Sequence, residues 1–195
     1  MKTVLILLLA YILGSIPFAL IVGKLIGGVD IRNYGSGNLG GTNAFRVLGW
    51  KVGILVILAD ILKGMLATYL GCRLGNETIG ILAGLVAALG HCYPLFAGFK
   101  GGKGVAVGAG IYFVLAPKVI LFAAIVFSLT LFFSKYVSLS SLAGALTMGI
   151  LILFNSSNPF LIILSWLLVI FVIYRHRPNI RRILNGTENR ISGRR

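Results

Sequence analysis

Most of this 195-residue chain lies in seven mostly apolar runs, near 3–23, 52–71, 78–98, 104–116, 118–133, 137–155 and 158–174. A helix needs about 20 such residues, within roughly 17–25, to cross the hydrocarbon core of a bilayer. Five of the runs reach or approach that length. The fourth and fifth are short and are separated by Pro117. Together they read as one hairpin or one kinked element, so seven spans is the expected count, with six or five as alternatives. Charged residues make up 11% of the chain, against about 25% in an average soluble domain. The N-terminal run is longer than the roughly 7–15 residues of a signal-peptide core and has no clear small-residue cleavage site, so it reads as a first span. The expectation is a single all-α integral membrane domain over 1–195, with about seven transmembrane helices and glycine-rich cytoplasmic loops. The glycines within the spans suit close helix packing in lipid. Cys72 and Cys92 form no C-x-x-C pair and read as small apolar residues.

Charge sets the expected orientation. Seven arginines fall in the tail after residue 174: Arg175, Arg177, Arg181, Arg182, Arg190, Arg194 and Arg195. The positive-inside rule places that tail in the cytoplasm. An odd number of spans then puts the N-terminus outside and the connections 24–51, 99–103 and 134–136 inside. Those connections carry Lys24, Arg32, Arg46, Lys51, Lys100, Lys103 and Lys135, whereas Lys2, Arg73 and Lys118 fall outside. Part of the basic excess serves topology and anionic lipid head groups. It does not explain why the same connections are rich in Gly, Asn, Ser and Thr.

The first of them, "NYGSGNLGGTN" (33–43), matches G-x-G-x-x-G at Gly35, Gly37 and Gly40. A dinucleotide fingerprint needs a strand before it and a βαβ unit around it. Here an apolar span precedes the loop, and the acid twenty residues on, Asp60, lies inside the next span. That reading fails. Ser36, Asn38, Thr42 and Asn43 are compact hydrogen-bonding groups, and Arg46 follows on an expected short helix. Arginine pairs bidentately with phosphate. The second loop, "GFKGGKGVAVG" (98–108), approaches a nucleotide P-loop but has Ala97 and Gly104 where that motif needs Gly and Ser or Thr. Its physics still applies. Consecutive glycines let backbone N–H groups converge on an anion, the loop opens a helix, and Lys100 and Lys103 add charge. A third cluster holds His176, Arg177, Asn179 and Arg182. Three basic, glycine- and amide-rich clusters suggest one site for phosphate groups beside lipid.

Asp60 and Lys63 share a helix face within a span, where they neutralise each other or serve a site. His91 reads as a packing or hydrogen-bonding histidine. Metal-dependent phosphotransfer uses clustered carboxylates, and the four acids of this chain are far apart in sequence, so no metal is expected. The His-x-x-x-x-Asp dyad of many acyltransferases is absent, since Phe96 and Arg181 occupy the aspartate positions. Two classes remain: a membrane enzyme that joins a phosphorylated polar substrate to a lipid-like one, and a carrier or channel for a phosphorylated anion. A carrier commonly has polar, broken helices at the midplane. The last three spans here are nearly without charge, which favours the enzyme.

Five segments in a fixed order then carry a family resemblance: "SGNLGGTN" (36–43) with Arg46, "DILKG" (60–64), "GHCYPLFAGFKGGKGVAV" (90–107), "SLSS" (138–141) and "HRPNIRRILNGTE" (176–188). The chain resembles the bacterial membrane glycerol-3-phosphate acyltransferases that use acyl phosphate as donor, the PlsY family. The resemblance implies acyl transfer to the sn-1 hydroxyl of glycerol 3-phosphate, giving lysophosphatidate and phosphate, without a metal or organic cofactor. It implies catalytic roles for Ser36, Arg46, Lys103, His176 and Asn179. It implies substrate-binding roles for Gly37, Asn38, Gly40, Thr42, Asn43, Lys63, Lys100, Gly101, Gly102, Gly104 and Ser141. Glu188 is expected to be structural, tying the tail to the loops. One departure is Val107, where the family pattern has Thr; that position is not counted as a ligand. The expected partners are glycerol 3-phosphate, acyl phosphate, membrane lipids and the enzyme that makes acyl phosphate. No nucleic acid is expected. The expected location is the bacterial plasma membrane.

Overall fold

The computed structural model describes residues 1–191; Arg194 and Arg195 of the charge argument lie outside the described residues. The described residues are helical, with no strand among them. They divide into two compact units, Met1–Leu115 and the residues from Ala116 onward.

The first unit contains α1 (Lys2–Gly14), α2 (Phe18–Gly27), α3 (Gly41–Leu48), α4 (Trp50–Leu74), α5 (Glu77–Cys92) and α6 (Val105–Leu115). The long α4 packs against α1, α3, α5 and α6. Glycine makes the crossings close. A Cβ on Gly64 of α4 would overlap the Val107 carbonyl of α6, and one on Gly110 of α6 would overlap the Ile61 carbonyl of α4. Gly14 of α1 lies in the same way against Ala87 of α5. Lipid tails are as apolar as Leu, so packing this close takes over the role that water exclusion plays in a soluble core.

The second unit contains α7 (Pro117–Ser134), α8 (Val137–Asn155) and α9 (Pro159–Leu184). Here α7 packs on α8 and α8 on α9. Their boundaries follow ordinary capping chemistry. Pro117 and Pro159 occupy first helical positions, where a missing N–H costs nothing. Asn158 caps α9 by accepting from the Phe160 N–H at 3.0 Å.

Among the described residues, six apolar helical segments are long enough to cross a membrane: Lys2–Gly27, Trp50–Leu74, Glu77–Ala97, Pro117–Ser134, Val137–Asn155 and Pro159–Leu184. The run expected as a fourth span is α6, with 11 residues. At about 1.5 Å per residue that is roughly half the hydrocarbon thickness.

Three expected boundaries shift. The first span, expected unbroken over 3–23, is two helices separated at Ser15–Pro17, because Pro17 has no N–H to continue the helix. The third, expected to reach residue 98, ends as an α-helix at Cys92 and continues as a 3-10 turn over Leu95–Ala97. The last, expected to end at 174, runs on to Leu184 with Pro178 inside it. His176, Arg177, Asn179 and Arg182 therefore lie on a helix and not in an irregular tail.

Candidate active site

The two glycine loops belong to the first unit, where the segments that carry them meet. Leu39 of the first loop and Ile31, just before that loop, share a buried apolar cluster with Leu20 of α2, Ala44 of α3, Val56 of α4 and Ala97 of the 3-10 turn that leads into the second loop. Above it, Arg32 Nη1 donates to the Ala97 carbonyl at 3.4 Å. The same guanidinium holds the Asp30 carboxylate at 2.6 Å. Hydrogen bonds from Arg32 keep that carboxyl down to about 2, well below the usual range.

Asn43 shapes the first loop. It sits in the first turns of α3, 2% exposed. Its amide donates to the Ile31 carbonyl at 3.2 Å and to the Tyr34 carbonyl at 3.1 Å. Its Oδ1 accepts the Ser36 backbone N–H at 2.8 Å. Both amide protons are thereby committed, and Asn43 serves as the frame of the loop rather than as a donor to substrate. Gly37, with φ +67°, follows Ser36 in a conformation that disfavours a side chain. The Ser36 side chain is exposed, Asn38 and Gly40 are half-buried, and Arg46 is exposed on the last turn of α3, the short helix expected there. Thr42 lies in the first turn of the same helix.

The second loop, 98–104, opens α6 as expected. Gly101, Gly102 and Gly104 are buried, Lys103 is half-buried and Lys100 is exposed. Gly104 takes φ +84°. One detail departs from a simple anion nest. The Gly102 N–H donates to the His91 carbonyl at 3.1 Å, so it is spent within the protein. A Cβ on Gly102 would fall on the His91 imidazole. Gly102 is needed for close approach to His91.

Lys63 has a different post from the expected substrate contact. Its side chain is 2% exposed; Nζ donates to the Ile16 carbonyl at 2.9 Å and pairs with Asp60 at 2.8 Å. The ammonium also lies over the Phe18 ring, 5.6 Å from its centroid. It gives the Ile16 carbonyl, at the break between α1 and α2, a second donor beside the Phe18 N–H. Asp60 in turn faces His91 Nδ1 at 3.4 Å, a close polar contact inside the span, where the sequence suggested a packing or hydrogen-bonding histidine. Val107, the departure from the family pattern, is fully buried beneath Gly64.

In the second unit, Glu188 is the organising group. It accepts from Ser138 at 2.8 Å, Asn179 at 2.6 Å and Arg182 Nε at 2.7 Å. It therefore ties the segment after α9 to the start of α8 and to α9 itself. Burial pushes its carboxyl up, but the three hydrogen bonds outweigh that and hold it below the usual range. His176 is 2% exposed, and its Nδ1 lies 2.8 Å from the Val172 carbonyl. A carbonyl only accepts, so Nδ1 carries the proton and a neutral ring keeps its lone pair on Nε2. Ser141 is buried and donates to the Val137 carbonyl at 2.8 Å, an intrahelical bond.

Sequence reasoning missed the Asp60–His91 contact, the Lys63–Ile16 contact and the framing role of Asn43. The signal available for Asp60 and Lys63 was their burial cost in a span, which requires partners. Nothing local pointed to the partner residues on other helices.

Apolar helices of spanning length, among the described residues, define an integral membrane protein. The chain belongs to the glycerol-3-phosphate acyltransferase family, whose model matches residues 4–186. It is 51% identical over 188 residues to "Glycerol-3-phosphate acyltransferase 2" of Bacillus anthracis, covering 96% of this chain and 98% of that one. It is 50% identical over 192 residues to the glycerol-3-phosphate acyltransferase of Bacillus subtilis (strain 168), covering 98% of each. Its fold matches crystal structures of PlsY (YgiH), an integral membrane glycerol 3-phosphate acyltransferase. The match to the glycerol 3-phosphate form has a TM-score of 0.94 at 38% identity, covering 98% of this chain and 96% of that one. The match to the lysophosphatidic acid form has a TM-score of 0.92 at 36% identity, with the same coverage.

Proposed function

We propose that this enzyme moves a fatty acyl group from acyl phosphate to the sn-1 hydroxyl of glycerol 3-phosphate, at the cytoplasmic face of a bacterial plasma membrane. The observation that carries this reading is the meeting, in the first unit, of the segments that hold the two glycine loops, with Ser36, Arg46, Lys100 and Lys103 on the loops and on α3. Both substrates are anions, and the acyl chain needs adjoining lipid. A basic loop pair at helix ends meets both needs.

In the reaction the sn-1 oxygen attacks the acyl carbonyl carbon. An ester C–O bond forms, the acyl C–O–P link breaks, and inorganic phosphate leaves with the electron pair. The hydroxyl proton needs an acceptor. A phosphate monoester has a second pKa near 6 and is largely dianionic at pH 7, so the acceptor substrate supplies that base itself. The mixed anhydride is already activated, which lowers the demand for a strong base. Ser36, Arg46 and Lys103 orient the anions and stabilise charge on the attacked carbonyl. Gly101 and Gly104 let backbone approach phosphate, and Gly37, Asn38, Gly40 and Thr42 line the first loop. The resemblance adds His176 and Asn179 to the catalytic group and Ser141 to the binding group. The proposal keeps Lys63 and Asn43 as positioning residues. With α6 counted as a short seventh crossing, the fourteen of eighteen basic residues in the tail and in the connections on its side support an outside N-terminus and a cytoplasmic C-terminus.

The test is a donor comparison. Purified protein with glycerol 3-phosphate is offered acyl phosphate or an acyl thioester of the same chain. Lysophosphatidate from the phosphate alone supports the reading. Product from the thioester alone contradicts it.

A further inference from the structure

A buried polar chain runs through the first unit and ends at the glycine loop. Lys63 Nζ donates to the Ile16 carbonyl at 2.9 Å and pairs with Asp60 Oδ1 at 2.8 Å. The same oxygen lies 3.4 Å from His91 Nδ1. The side chains are buried to 2%, 3% and 6% exposure. His91 then meets the loop through two different groups. Its carbonyl accepts the Gly102 N–H at 3.1 Å. Its imidazole lies so close to Gly102 that an added Cβ would land on Nε2, and a Cβ on Gly101 would land on the His91 carbonyl.

Burying this many charged and polar groups inside a span is costly, and an apolar set of the same volume packs as well. Neutralising Lys63 requires only Asp60. It does not require a histidine on the facing helix, nor a loop moulded to that histidine. The imidazole lies between the Asp60 carboxylate and the Gly102 backbone and is close to both.

We infer that Asp60 and His91 are positioning residues for the Gly101–Gly104 loop, and through it for the phosphate of glycerol 3-phosphate. This rests on the proposed function, since it assigns that phosphate to the loop. Neither residue touches substrate. Their loss loosens the loop, so it weakens acceptor binding and leaves donor binding unchanged.

The experiment uses the purified full-length protein and steady-state rates, with glycerol 3-phosphate and acyl phosphate varied separately. His91→Phe keeps the ring volume and loses the contact with Asp60. His91→Asn keeps a donor toward Asp60 and loses the ring. Both raise the KM for glycerol 3-phosphate, His91→Phe by about tenfold, which corresponds to about 1.4 kcal/mol of lost loop positioning. The KM for acyl phosphate stays at the parental value. Gly102→Ala drives a methyl group into the imidazole and raises the same KM. The double variant Gly102→Ala/His91→Ala relieves that overlap, so its KM is no higher than that of the worse single variant. Independent sites instead multiply their factors. An unchanged acceptor KM in folded His91→Phe and His91→Asn, equal rises in both KM values, or multiplicative factors in the cycle overturn the inference. Parental protein that does not acylate glycerol 3-phosphate overturns the functional reading itself, which the variants cannot be mistaken for.

Discussion

The Asn43 side-chain oxygen accepts the Ser36 backbone N–H at 2.8 Å, and the Asn43 amide holds two further carbonyls of the same loop. A residue at the start of α3 thus fixes the position of the exposed serine seven residues before it. Asn43→Ala takes the acceptor from the Ser36 N–H, at about 1–3 kcal/mol if it stays unsatisfied, whereas the Ile31 and Tyr34 carbonyls keep the Tyr34 and Gly37 N–H groups. Turnover is expected to fall at least about tenfold, since 1.4 kcal/mol is a factor of ten in rate. Asn43→Asp does no better, because it removes two donors and buries a charge. Turnover equal to the parent in both variants removes Asn43 from the frame of the site.

Arg46→Lys tests whether a planar guanidinium is needed. The charge remains but the two-pronged contact with phosphate is lost. Both kcat and kcat/KM are expected to fall. Parental kinetics reduce Arg46 to a topology charge.

Lys103→Ala deletes a charge at the mouth of the second loop. The KM for glycerol 3-phosphate is expected to rise while the fold persists, as judged by an unshifted melting temperature. An unchanged KM misplaces the phosphate.

His176 separates two sources of base. Its Nδ1 is occupied by the Val172 carbonyl. His176→Gln keeps hydrogen bonding but cannot take a proton near neutral pH. If the substrate phosphate is the base, turnover stays within about the 10²-fold expected of a positioning group, whereas general-base loss costs about 10²–10⁴. Loss of turnover that added imidazole restores makes His176 the base.

Much of this architecture could be read before folding. Apolar run length located the long helices, and Pro117 marked a true boundary. Glycines in the second loop pointed to a loop that opens a helix. What could not be read depends on contacts between distant helices. Pro17 breaks the first span, but Lys63, forty-seven residues after Ile16, binds the Ile16 carbonyl at that break. Asn43 looked like a ligand because its type suits one, and only the folded loop shows its amide already committed. Apolar content falls after residue 174, so the last helix seemed to end there. It continues because Arg, Asn and Ile are compatible with a helix that has left lipid, and Glu188 folds back on it.

Glu188 carries a pH prediction. Its folded carboxyl lies below the ordinary value of 4.5, through hydrogen bonds from Asn179, Ser138 and Arg182 that outweigh burial. A depressed carboxyl contributes stability that is present above the unfolded value and is lost as pH falls through the folded one. The melting temperature should fall once pH drops below about 4.5, and the fall should be shallower in Glu188→Gln. Asp30, also depressed, is common to both proteins and cancels in the comparison. Parallel curves contradict the assigned role.

The central claim is tested most directly by product stoichiometry in a chelated assay. Purified protein is given glycerol 3-phosphate and acyl phosphate with excess EDTA, and lysophosphatidate and inorganic phosphate are measured together. Equal amounts of the two products, at a rate unaffected by the chelator, are the predicted result. Phosphate released without lysophosphatidate, or activity lost in EDTA and restored by magnesium, contradicts it.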